Sequence, residues 1–114
     1  MEMQAKPQVS IQEFQSLDLR IGTITGVEPV KGSKKLYKIK VDLGGLGERQ
    51  TVAGLVPYYK ADELVGKKIV FLTNLKPARL AGELSEGMIL AAENNGKVSL
   101  LTIDREIPEG SRIL

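Results

Sequence analysis

The alternation of apolar and polar positions is clearest from Leu36 to Leu43. Tyr37, Ile39, Val41 and Leu43 fall on one face of an extended strand, and Lys38, Lys40 and Asp42 on the other. This predicts a half-buried strand whose outward face carries lysines. Upstream, SIQEFQSLD has helical spacing instead: Ile11, Phe14 and Leu17 share a face, and Ser10 followed by Glu13 has the form of a capping box. From Leu19 the chain becomes β-rich in RIGTITGVEPV, where Gly22 and Gly26 mark a bulge or a sharp coil. A Gly32-Ser33 turn separates this strand from the lysine strand.

The turn GGLG, residues 44 to 47, joins the lysine strand to a third strand, RQTVAG, as a hairpin with a longer loop. PYYKADELVGKK reads as one short helix or a pair of turns: Pro57 stands at a possible start, Asp62 and Glu63 in the first turn, and Gly66 before Lys67 and Lys68 at the stop. KIVFLTNL, from Lys68, is a buried strand; KPARLAGELSEG is a loop punctuated by Pro77 and glycines; MILAAE is a fifth strand. Asn94-Asn95-Gly96 is a hairpin turn into KVSLLTID, and IPEGSRIL is a last extended piece.

Five strands without strand-helix-strand periodicity predict an all-β fold, a small closed barrel. The oligonucleotide-binding (OB) fold, a five-stranded Greek-key barrel that binds its ligands on the strand 2–3 face, fits this order, with a short N-terminal helix, a short helix before strand 4 and extra C-terminal strands. An SH3-like barrel is the alternative from pattern alone. The domain is expected over residues 10–114, with the barrel at about 19–93 and an extension at about 97–114, after a flexible segment 1–9.

Composition narrows the chemistry. A chain of 114 residues without cysteine or histidine excludes disulfides, thiolate nucleophiles, Cys/His zinc sites and imidazole acid-base catalysis. The carboxylates show no metal-binding or catalytic spacing, so neither a cofactor nor a metal is expected. Nothing near the N-terminus has the form of an export signal, and no apolar run approaches the roughly 20 residues that span a bilayer, so a cytoplasmic protein without a membrane partner is expected. Charge is uneven: between Lys31 and Arg79 there are eleven Lys/Arg and four Asp/Glu, a local +7 flanked by −2 and −3. The densest part, KGSKKLYKIK, holds Lys31, Lys34, Lys35, Lys38 and Lys40 without an acid, which would draw a polyanion.

The segments LDLRIGTI, KLY, VDLG, TVAGLVPYY, ELVGKKIVFLTNLKPARLAG and SEGMILAAE, in that order, resemble the tRNA-binding domain found at the C-terminus of methionyl-tRNA synthetases. The domain is also similar to stand-alone tRNA-binding proteins and to the C-terminal part of the endothelial monocyte-activating polypeptide precursor. The resemblance covers about residues 14 to 114. It implies an OB fold, tRNA binding without catalysis, and a homodimer formed partly by the segment after the barrel, giving tRNA affinity to a methionyl-tRNA synthetase in cis or in trans.

By that resemblance the RNA contacts are Lys31, Lys34 and Lys35 in the first loop, Asn74, Lys76 and Arg79 in NLKPAR, and Ser85 and Met88 in SEGM. Lysines neutralise phosphates, an arginine grips one with two parallel hydrogen bonds, and Asn or Ser can donate to phosphate or 2′-hydroxyl oxygens. Read as residues alone, Met88 suits a core or rim position better than an RNA contact, and Asn74 suits a turn cap and an RNA contact equally well. Tyr37 reads as core, and one of Tyr58 and Tyr59 as packed on the barrel with its hydroxyl at the surface. Two loops depart from the family pattern: VKGSK before KLY replaces a more acidic run, and Ala78 and Ala81 leave Arg79 without close basic neighbours. A second class of function, a protein-binding chaperone or secretion-related module of the same fold, requires an exposed apolar groove. Apolar VSLLTI and the final RIL need a cover, which a partner subunit or the chain's own barrel could provide.

Overall fold

The computed structural model describes residues 4–114. Of the segment 1–9, residues 1–3 lie outside the described residues, and 4–9 are exposed and form neither helix nor strand. Helix α1, Ile11–Gln15, opens with the expected box: Ser10 Oγ accepts from the Glu13 N–H at 3.0 Å and the Glu13 carboxylate from the Ser10 N–H at 2.9 Å. The strands of the main sheet are β1 (Leu19–Pro29), β2 (Tyr37–Asp42), β3 (Glu48–Ala53), β4 (Lys68–Leu72) and, after a separate hairpin of β5 (Ala78–Leu80) and β6 (Glu83–Ser85), β7 (Met88–Ile89). Their spatial order is β3-β2-β1-β4-β7, all antiparallel.

A five-stranded, nearly closed barrel results, because the segment leading into β7 returns to the free edge of β3. There the Glu86 N–H donates to the Gln50 carbonyl at 2.8 Å and the Val52 N–H to Ser85 Oγ at 3.1 Å. Gly26 marks a bulge, since the β1–β2 register shifts between Ile24 and Gly26. Gly22 is not at the bulge. It pairs regularly with Ile69, and a Cβ there would stand 2.5 Å from Val41 Cγ1, so glycine lets β2 cross close to β1.

Tyr37, Ile39, Val41 and Leu43 all point into the barrel, with Ile24, Ile69 and Phe71 from the neighbouring strands. Helix α2, Ala61–Leu64, contributes a fully buried Leu64, and the turn before it carries Pro57. The Glu63 carboxylate caps this helix by accepting from the Lys60 N–H at 2.8 Å, and Gly66 (φ +91°) lies just past its end.

Two expectations are corrected. MILAAE is not one strand: it divides at Leu90, β7 pairing with β4 while β8 (Ala91–Asn94) turns away to pair with β9 (Lys97–Leu100). KPARLAGELSEG is not a loop either, since β5 and β6 pair within it. Both added hairpins have two-residue turns with positive φ at both positions, Asn95-Gly96 and Ala81-Gly82. Asn-Gly suits this geometry; alanine in the left-handed region does not. Ala81→Asn is therefore expected to raise stability by about 0.5–1 kcal/mol in urea unfolding.

The C-terminal extension covers part of the barrel from which it comes. Leu100 is buried in the core, and backbone hydrogen bonds from Ile21 to Ser111, Gly110 to Ile21 and Ile113 to Leu19 lay the last residues along β1. Leu101, Ile107 and Leu114 remain exposed.

Candidate nucleic-acid interface

The first inter-strand loop is a rigid mount for mobile charges. The Ser33 N–H donates to the Val30 carbonyl, the Val30 N–H to the Leu36 carbonyl, and Ser33 Oγ accepts from the N–H groups of Lys35 and Leu36. Gly32 takes a positive φ of 85°. The backbone is thereby fixed, while Lys31, Lys34 and Lys35 are exposed, and none forms an ion pair among the described residues.

The Lys35 carbonyl accepts from the Val56 N–H at 3.2 Å, which joins this loop to the Gly54–Leu55 corner. That corner is one wall of an open, mainly apolar groove of about 350 Å³ between β3 and the 75–89 region. Val52 and Leu55 line one side and Leu75, Leu80 and Met88 the other, with Lys76 beside them. Met88 is half-exposed at the rim, as a rim reading of that residue expects.

Buried hydroxyls fix the groove. Thr51, 1% exposed, donates from Oγ1 to the Gly87 carbonyl at 2.9 Å and lies 3.2 Å from Ser85 Oγ, while Gln50 Nε2 donates to the Leu84 carbonyl at 2.8 Å. Ser85 is thus occupied inside the fold. Asn74 is too: its Oδ1 accepts from the Asp18 N–H at 2.8 Å and its Nδ2 donates to the Ser16 carbonyl at 2.7 Å. It acts as a clamp between the end of α1 and the loop after β4. Arg79 is exposed and donates from one nitrogen to the Gly82 carbonyl at 3.1 Å, which leaves its other donors for a ligand.

The structure therefore ties the loop that carries Lys31, Lys34 and Lys35 to one wall of the groove through the Lys35 carbonyl, sets Lys76 and Met88 in the groove lining and Arg79 on the β5–β6 hairpin, and assigns the polar atoms of Asn74 and Ser85 to internal hydrogen bonds. Sequence reasoning missed Gln50, Thr51, Leu75 and Leu80. Nothing in the local spacing signalled them. The lysine strand also differs from expectation: Lys38 and Lys40 are half-buried, and Lys38 Nζ lies 3.5 Å from Glu83. Tyr37 is core, its hydroxyl donating to the Tyr59 carbonyl, and Tyr59 packs on the barrel with its hydroxyl accepting from the Leu100 N–H rather than facing solvent.

At the start of β1, beside the loop after β4, Arg20 Nε donates to Asp18 Oδ1 at 2.7 Å. This hydrogen bond holds the Asp18 carboxyl below its ordinary value of 3.8, against the opposing effect of partial burial. A depressed folded value stabilises the fold above the unfolded pKa, and the contribution is lost as pH falls through the folded one. Asp18→Asn should thus cost no more than about 1 kcal/mol at neutral pH, with a deficit that shrinks in urea titrations as the pH falls below the ordinary carboxylate range. Lys68, far from the groove, is shifted upward by its hydrogen bond to Glu106, with Glu109 adding to it, and donates to the Ile107 carbonyl at 2.7 Å.

The family model described as "Putative tRNA binding domain" matches residues 19–112. The chain belongs to this tRNA-binding domain family. It is 51% identical over 110 residues to a methionine–tRNA ligase of Clostridium tetani, covering 95% of this chain and 17% of that protein. Such a domain therefore spans about a sixth of the length of the curated relatives it matches. Among solved structures, a MetRS related protein from Pyrococcus horikoshii superposes with a TM-score of 0.89 at 36% identity, over 96% of this chain and all of that one. The chaperone CsaA from Bacillus anthracis superposes at 0.85 and 34% identity, over 95% of this chain and all of that one. The unit that the family model describes binds tRNA and is not a catalytic domain. No helix among the described residues is long and apolar enough to cross a membrane.

Proposed function

We propose that the chain binds tRNA by shape and phosphate charge, largely without reading sequence, and supplies tRNA affinity to a methionyl-tRNA synthetase, in cis or in trans, as a dimeric cytoplasmic module. The observation that carries this reading is the hydrogen-bonded loop that exposes Lys31, Lys34 and Lys35 and is tied through the Lys35 carbonyl to a wall of the groove lined by Lys76 and Met88. The lysines and Arg79 neutralise phosphates, and Met88 offers apolar contact to an unstacked base. Asn74 and Ser85 shape this surface through the backbone they hold. Residues 10–114 are the functional unit. The exposed Leu101, Ile107 and Leu114 favour a second copy as their cover, and light scattering at micromolar concentration should give twice the chain mass.

Binding to total tRNA, duplex RNA and duplex DNA across a salt series tests the reading. A preference for tRNA with several ions released supports it; equal, steeply salt-dependent binding to all three reduces the surface to a generic polycation site. The apolar groove, together with the likeness to CsaA, favours one second reading, a protein-binding chaperone. Extended apolar peptides that fail to bind under conditions where tRNA binds dispose of it.

A further inference from the structure

Lys38 stands on the outward face of β2, opposite Val52 of β3, on the strand 2–3 surface where OB barrels take up nucleic acid. In this chain the β5–β6 hairpin leans over that surface. Val52 is 6% exposed and shares the groove with Ala78 and Leu80 of β5, and Glu83 at the start of β6 reaches past β3 to place Oε2 3.5 Å from Lys38 Nζ. Among the described residues this is the single ion pair that ties the hairpin to the barrel. Both side chains keep partial exposure, 26% and 34%, so an incoming anion can reach them. Lys38 is also the register partner of Glu28 on β1. A cation on the ligand face is thus already held by a carboxylate of the same chain, whereas the loop lysines are not.

We propose that Glu83 is a specificity-determining residue that occupies the phosphate position at Lys38. A polyanion offering charge alone must displace the carboxylate to use this cation. A folded tRNA that meets the loop lysines and the groove together binds without it, so the carboxylate penalises the wrong ligands more than the right one. The inference rests on the tRNA-binding reading above. It depends on one salt bridge of ordinary surface strength, so replacing either partner leaves the fold intact.

The test measures Glu83→Gln, Lys38→Gln and the double variant against total tRNA, duplex RNA and duplex DNA over a salt series. Glu83→Gln should tighten both duplexes by about three- to tenfold, steepen the dependence of log K on log salt by about 0.9, and raise tRNA affinity less than threefold. In the Lys38→Gln background the gain should vanish. The proposal is overturned by no gain on the duplexes, by an equal gain on tRNA, or by a gain that persists without Lys38, which would be a long-range effect of net charge. Failure of the tRNA reading shows separately, in the wild-type chain, as equal affinity for all three polyanions.

Discussion

Gly87→Ala is expected to lower the unfolding free energy by about 2–6 kcal/mol, a large part of the roughly 5–15 kcal/mol that holds a domain of this size. Two independent causes add. Gly87 has a φ of +151°, a conformation that costs a residue with a side chain about 1–3 kcal/mol. A Cβ there would also stand 2.5 Å from both Cε2 and Cζ of Phe71 and 2.6 Å from the Leu72 carbonyl oxygen. Phe71 is fully buried at the centre of the core and cannot retreat, so relief must come from moving the backbone, at a further cost of about 1–3 kcal/mol.

That movement would propagate to the groove, because the Gly87 carbonyl accepts from both Thr51 Oγ1 and Ser85 Oγ. Gly45→Ala is the control, since its Cβ meets nothing within 4 Å and its φ is not positive. Urea unfolding of the two variants decides the matter: a deficit below about 1 kcal/mol for Gly87→Ala would show that β4 and the chain entering β7 can separate without loss.

The contrast between Gly87 and Gly26 shows what the sequence can carry. Gly26 sits in a periodic strand, so its interruption of the pattern is visible, and the bulge follows. Gly87 is needed because of Phe71, sixteen residues earlier on a strand that pairs with β7, and no local spacing announces that contact. The same division runs through the site. The capping box at Ser10, the inward set from Tyr37 to Leu43 and the Asn95-Gly96 turn are properties of a few adjacent residues and are legible. The role of Asn74 depends on backbone groups of Ser16 and Asp18, more than fifty positions away, which leaves a turn cap and a ligand contact equivalent until the fold is known. The β5–β6 hairpin was hidden for another reason: Pro77 and Gly82 read as loop punctuation, and Ala81 is a residue the turn geometry disfavours. With that hairpin hidden, the cover over Val52 and the partner of Lys38 were hidden as well.

Reversing two charges in the first loop, Lys34→Glu with Lys35→Glu, should weaken binding to many tRNAs alike by roughly ten- to hundredfold near 100 mM salt. The loop backbone is set by Ser33, Val30 and Leu36, none of which is altered, and both lysine side chains are exposed and without ion pairs. Stability should therefore change by less than about 0.5 kcal/mol, which separates lost contacts from lost fold. Two phosphates that are no longer neutralised should reduce the slope of log K against log salt by about two. The slope is the decisive reading, because affinity alone would also fall if the variant merely repelled the polyanion at long range. A loss confined to tRNAs of one anticodon would contradict recognition by shape and charge, since phosphates are common to them all. An unchanged slope would place the phosphate contacts elsewhere, on Lys76 in the groove and Arg79 on the β5–β6 hairpin.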